Sequence, residues 1–185
     1  DDQSFALQLE SHPELALSST EAVYTATELK SLVTYARSKF NITIIPEIDL
    51  PGHGGGWAPG IPNMIVPCPK FLCDIGYGIP INIGHAQVRS ILKDVLQEGL
   101  EIFDQPPFLQ LGGDDLHLTE PCWQEAEMVP NYPQFESYLA GILQDLNYPV
   151  ENVVRWEKKK DPSTTISGRT GTGSVVHFRK GAPAT

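Results

Sequence analysis

Three stretches of helical periodicity alternate with short apolar runs, and that alternation most narrows what this chain can fold into. Thr25 and Glu28 carry the spacing of a capping box. Behind them Leu29, Leu32, Val33 and Ala36 recur at helical intervals, predicting a helix over about 26–39. Ile42-Thr43-Ile44-Ile45-Pro46-Glu47 reads as a buried strand stopped by Pro46. A loop rich in Gly and Pro is expected from Asp49 to about Ile83. Val88, Ile91, Leu92, Val95, Leu96 and Leu100 mark a second helix, and Phe108 to Leu111 the next strand. Phe135, Tyr138, Leu139, Ile142, Leu143 and Leu146 mark a third helix, followed by a strand from Val150 to Trp156. The stretch 160–173 reads as a flexible connection rich in Ser, Thr and Gly, and Ser174 to Phe178 as a last strand.

Helices and strands in this order indicate an α/β fold of right-handed βαβ units around a parallel sheet. A complete (β/α)8 barrel takes about 250 residues, so 185 supply part of one. The chain opens on Asp1 without an initiator Met, which reads as a segment of a longer polypeptide.

Charge excludes some partners. The net charge is −10, with 6 Lys/Arg against 21 Asp/Glu over residues 1–154 and 7 against 2 over 155–185. So acidic a body argues against nucleic acid. The basic tail, with Lys158-Lys159-Lys160, Arg169, Arg179 and Lys180, reads as a solvated segment. No apolar run approaches the roughly 20 residues of a membrane span, and no signal peptide is visible.

Cys68, Cys73 and Cys122 offer a C-x4-C pair without a second pair, a poor zinc pattern; one disulfide with a spare thiol is open. Asn41-Ile42-Thr43 is an N-glycosylation sequon, but it leads into the expected strand, which argues against its use.

Chemistry concentrates where strands end. Leu109-Gln110-Leu111-Gly112-Gly113-Asp114-Asp115 is a short apolar run, a glycine pair that lets the backbone turn, and two carboxylates, with His117 beyond. Two adjacent carboxylates held in different protonation states can divide acid and stabilising roles, although a capping Asp beside a solvated one explains the pair as simply. The earlier strand runs out through Glu47 and Asp49 to His53, and the later one reaches Trp156. In neighbouring parallel strands these ends converge on one face, the usual place for an active site in such folds.

Five motifs in order, Asp1-Asp2-Gln3-Ser4-Phe5, Tyr35-Ala36-Arg37, Ile45 to His53, Leu111 to Asp115 and Cys122-Trp123, resemble the family 20 glycoside hydrolases, the β-N-acetylhexosaminidases. The likeness is closest to their lysosomal-type eukaryotic branch. It implies a (β/α)8 barrel of which this chain holds roughly the middle strands, and a retaining mechanism in which the substrate's 2-acetamido oxygen is the nucleophile. By resemblance, Asp114 matches the residue that orients the acetamido group, and Asp115 occupies the place of the acid/base. His53 and Asp1 match the pair that tunes that acid, and Asp49 matches a further pocket residue. Trp156 matches one wall of the N-acetyl pocket, and Cys68 with Cys122 a loop disulfide; Cys73 has no counterpart. The implied substrate is an oligosaccharide or glycoconjugate ending in N-acetylhexosamine. No cofactor and no metal are implied, the compartment is lysosomal or extracellular, and a homodimer of the full-length protein is open.

The chain also departs from the family. Asp115 replaces its Glu, and a carboxylate one methylene short falls about 1 Å from its place, an error worth about 10²-fold in rate. Arg179 stands where a pocket tryptophan is usual. The resemblance puts the family's first strand before residue 1 and its last two strands after residue 185, which would leave barrel edges open.

Rival readings use the same residues. His53-Gly54-Gly55-Gly56-Trp57 imitates a lipase oxyanion loop, but no G-x-S-x-G nucleophile elbow accompanies it. Asp114, Asp115, His117 and His53 could hold a divalent metal. A homologue that binds N-acetylated sugar without cleaving it is favoured by Asp115.

Overall fold

The computed structural model describes residues 5–18, 23–68, 79–113, 122 and 132–155. Strand β1 (Leu7–Gln8) pairs in parallel with β2 (Tyr24–Thr25), with a 3-10 turn over Pro13–Ser18 between them. Helix α1 (Ala26–Phe40) follows, then a 3-10 turn over Gly54–Trp57, helix α2 (Ala86–Ile102), strand β3 (Leu109–Gln110), helix α3 (Tyr132–Asp145) and strand β4 (Val153–Val154). The predicted alternation is present, with parallel pairing throughout the named strands.

Helix α1 starts where the capping box requires. The Thr25 hydroxyl accepts from the Glu28 N–H at 3.2 Å, and the Glu28 carboxylate accepts from the Thr25 N–H at 2.8 Å. The helix ends at Asn41, whose left-handed backbone (φ 53°) turns the chain out, while the Ile42 N–H reaches back to the Ala36 carbonyl at 3.1 Å. Val33 and Ala36 are buried as expected, but Leu32 is exposed, so the buried stripe is narrower than the sequence pattern implied. Helix α2 buries Val88, Ile91, Leu92, Val95, Leu96, Leu100 and Ile102, and α3 buries Phe135, Leu139, Ile142 and Leu143. Both sets recur at the intervals that keep one helix face inward, and they join a single core.

The strand expected over 42–47 requires correction. Ile42 and Ile45 are exposed, and the ladder begins only at Pro46, whose carbonyl accepts from the Gln110 N–H at 3.0 Å. Pro46 therefore opens the pairing instead of stopping it. Proline lacks only the N–H, and the first residue of a strand can do without one. The Ile48 N–H then donates to Gln110 O at 2.9 Å and the Leu50 N–H to Leu111 O at 3.3 Å. Glu47 bridges Gln110 in parallel and Gln110 pairs with Val154, so segment 46–50, β3 and β4 lie side by side.

The described parts of the Gly/Pro-rich loop after Asp49, residues 50–68 and 79–83, pack together as a cap. Ile65 bridges Ile81, and Met64, Val66 and Ile81 are fully buried. The expected strand from Val150 to Trp156 is shorter, because a 3-10 turn occupies Val150–Asn152. The expected strand at 174–178 and the connection at 160–173 lie outside the described residues.

Candidate functional site

Alternation along a strand assigns faces. Ile48 and Leu50 point into the core on one side of their segment, as Leu109 and Leu111 do on β3. Glu47, Asp49 and Gln110 then occupy the opposite face. The register that sets Glu47 opposite Gln110, carried two residues further, sets Asp49 opposite Gly112. The packing bears this out. A Cβ built on Gly112 would fall 1.7 Å from Asp49 Oδ1 and 2.6 Å from its Cγ. Only a residue without a side chain admits the carboxylate there. Gly112 and Gly113 also hold positive φ angles, 61° and 98°, which glycine adopts freely.

The loop beyond Asp49 is fixed from one side. The Ile81 N–H donates to Pro51 O at 2.9 Å, and the Gly54 N–H donates to Ile79 O at 2.7 Å. Between these anchors His53 heads the 3-10 turn with a left-handed backbone (φ 55°) and is half-buried. Trp57 closes the turn, buried against Phe5 with ring centroids 4.9 Å apart. The Gly54 N–H is spent on the Ile79 carbonyl and so is not an oxyanion donor, and the lipase-like reading still lacks its G-x-S-x-G elbow.

The end of β3 is held from two further directions. The Leu111 carbonyl accepts from the Leu50 N–H and from the Arg155 guanidinium. Arg155 also grips the Glu136 carboxylate of α3 through one nitrogen, at 2.8 and 3.0 Å. Counted with the basic tail, Arg155 was missed as a residue that builds the site; its place one residue after the apolar pair Val153-Val154 was the available signal.

Of the residues picked from sequence, the structure brings Asp49 to the glycine turn and sets His53 at the head of the adjoining loop. It joins Cys68 to Cys122 in a disulfide that ties this cap to the segment after β3, with Cα atoms 5.3 Å apart. Asp1, Asp114, Asp115, His117, Trp156, Cys73 and Arg179 lie outside the described residues. Among the described residues, no group of three or more His, Cys, Asp or Glu could hold a metal ion. Nor is any described helix long and apolar enough to cross a membrane.

Human beta-hexosaminidase subunit beta is 31% identical over 157 residues, covering 83% of this chain and 28% of that protein. Mouse beta-hexosaminidase subunit alpha is 29% identical over 160 residues, covering 79% and 29%. The Dictyostelium discoideum beta-hexosaminidase subunit A2 is 28% identical over 183 residues, covering 90% and 32%. The chain thus spans about a quarter to a third of the length of these relatives. Among solved structures, that of Dispersin B matches 84% of this chain and 42% of its own with a TM-score of 0.47 and 16% identity. The model of the glycosyl hydrolase family 20 catalytic domain matches residues 1–162, and with nearly nine-tenths of its length inside that match the chain belongs to glycosyl hydrolase family 20.

Proposed function

We propose that the protein carrying this sequence is a β-N-acetylhexosaminidase-type glycosidase, removing terminal N-acetyl-β-D-hexosamine from an oligosaccharide or glycoconjugate. The observation that carries the reading is the Asp49–Gly112 contact, a carboxylate seated at the turn that leads from β3 into Asp114-Asp115. In this reading the substrate's acetamido oxygen attacks the anomeric carbon and Asp114 orients and stabilises the acetamido N–H. Asp115 protonates the leaving oxygen and then deprotonates the water that opens the oxazolinium ring. His53 and Asp1 tune that acid, Asp49 and Trp156 line the pocket, and no cofactor takes part. The chain would supply the middle strands of a barrel whose other strands come from flanking sequence. The Cys68–Cys122 disulfide supports an oxidising, lysosomal or extracellular setting. A homodimer of the full protein belongs to the same proposal and is read by analytical ultracentrifugation.

Asp115 is the specific feature favouring a second reading, a sugar-binding homologue without turnover. One experiment separates them. Asp115→Glu should raise kcat on an aryl N-acetyl-β-glucosaminide by up to about 10²-fold, the rate lost to a 1 Å misplacement. An unchanged kcat with the fold intact would remove Asp115 from the acid/base role. Binding of N-acetylglucosamine-thiazoline by calorimetry, with no turnover in either form, would establish the binder; no binding would sink it.

A further inference from the structure

We propose that Asn41 is an N-glycan acceptor and that its glycan covers the apolar surface around the end of α1. Asn41-Ile42-Thr43 is the one N-x-Ser/Thr sequon in the 185 residues. Its expected place at the start of a buried strand was the argument against its use. The structure removes that argument, because the ladder begins at Pro46 and Asn41, Ile42 and Thr43 are all exposed outside any strand. Asn41 is the left-handed residue that turns the chain off α1, and its backbone N–H is taken up by the Arg37 carbonyl at 3.1 Å. The helix end thus depends on the backbone of Asn41, and attachment at the side-chain amide leaves that cap in place.

The surroundings supply the second observation. Phe40 is 61% exposed, Ile42 55%, Tyr35 54%, Leu32 49% and Ile45 41%, all within nine residues of Asn41 along the chain. The Tyr35 and Phe40 rings pack edge-on, with centroids 5.5 Å apart. So many large apolar side chains together on a surface ask for a cover. A glycan is a bulky, solubilising one, and here it would be rooted between Phe40 and Ile42. The Cys68–Cys122 disulfide points to the oxidising secretory route, where acceptor asparagines meet their donor.

The donor is a lipid-diphosphate-linked oligosaccharide. The Asn41 amide nitrogen attacks C1 of its reducing-end sugar, the C1–N bond forms, and the C1–O bond to phosphate breaks. The lipid diphosphate leaves with the bonding electron pair, and the amide gives up one proton to a base. The inference is independent of whether Asp115 supports turnover.

The test expresses the protein in a eukaryotic secretory host and examines the peptide containing Asn41. Peptide:N-glycosidase should lower the apparent mass by one step and convert Asn41 to Asp. Asn41→Gly keeps the left-handed cap and should lose the step. Thr43→Ala keeps the asparagine and should lose it too, whereas Thr43→Ser should retain it. An unmodified Asn41 peptide as the main wild-type species, or a step that persists in Asn41→Gly, would overturn the site. Native deglycosylation should increase binding of an apolar dye such as ANS. Unchanged dye binding would overturn the covering role.

Discussion

The carboxylate of Asp49 and the α-carbon of Gly112 share a space that a methyl group would fill, with a built Cβ only 1.7 Å from Oδ1. Strand register brings them together. Glu47 bridges Gln110, so the residues two further along must meet at the strand ends. A close approach of this kind makes Gly112 as much a determinant of the site's shape as the carboxylates around it.

Gly112→Ala should therefore destabilise the protein on two counts. A left-handed backbone costs a side-chain-bearing residue roughly 1–2 kcal/mol. The added methyl must also displace the Asp49 side chain. The two counts separate in a double-mutant cycle followed by urea denaturation. Adding Gly112→Ala to Asp49→Ala should cost less than adding it to the wild type, by about 1 kcal/mol or more. Strict additivity would show that the close approach is not what constrains position 112.

The Cys68–Cys122 bridge closes a loop across 54 residues of sequence. A loop of that length restricts the unfolded chain, and a disulfide typically contributes about 2–4 kcal/mol. Replacing both cysteines by Ala should lower stability by that amount and lower Tm by several degrees. An unaltered Tm would mean that the packed cap around Met64, Val66 and Ile81 holds itself together.

A carboxylate clasp ties the segment before the first 3-10 turn to α2. The Glu98 side chain accepts the Ser11 hydroxyl at 2.6 Å, the Ser11 N–H at 3.1 Å and the Glu10 N–H. Partial burial pushes its pKa up. The Ser11 hydroxyl, the two N–H groups and nearby His12 outweigh that and hold it below the usual carboxylate value. A depressed folded pKa means stability that is present above the unfolded value of about 4.3 and is lost as pH falls through the lower folded value. Glu98→Gln should accordingly be less stable than wild type near pH 7, with the gap closing below about pH 4. The check is Tm against pH for both proteins; a gap that stays constant into acid would exclude Glu98 ionisation as its source.

Much of this architecture was legible because helical periodicity survives packing. The α2 stripe from Val88 to Leu100 is the buried face residue for residue. On α1 periodicity marked an apolar arc but not which edge its neighbours cover, and Leu32 fell outside. The segment 42–47 was misjudged because β-branched residues score as strand whether or not a partner lies beside them; the partner begins at Pro46. Strands of two residues, such as β1 and β2, leave no period to read. At the site, Asp49 was visible as a strand-end carboxylate, but its contact with Gly112 follows from register, which no single strand encodes. Arg155 was hidden for a similar reason, since its partners Leu111 and Glu136 are 44 and 19 residues away.

Arg155 offers the sharpest test of how the end of β3 is held. Its guanidinium reaches the Leu111 carbonyl with one nitrogen and the Glu136 carboxylate with the other, joining the end of β3 to α3 immediately before the glycine turn. Both ends of this ion pair are partly buried, with Arg155 24% and Glu136 35% exposed at their side chains, so water replaces the lost contacts only in part. Arg155→Met keeps most of the aliphatic stem and removes every donor. Its cost should be about 1.5–3 kcal/mol, the usual worth of hydrogen bonds to a charged group. Arg155→Lys keeps the charge but not the planar fork, and a point charge cannot serve the carbonyl and the carboxylate from two directions. It should fall between wild type and Arg155→Met. Glu136→Gln leaves the bond to Leu111 and should cost less than Arg155→Met. If urea denaturation gives the same loss for Glu136→Gln as for Arg155→Met, the ion pair alone accounts for Arg155 and the carbonyl contact contributes nothing. If Glu136→Gln costs little while Arg155→Met costs the full amount, the grip on Leu111 is the main contribution, and the position of the glycine turn depends on it.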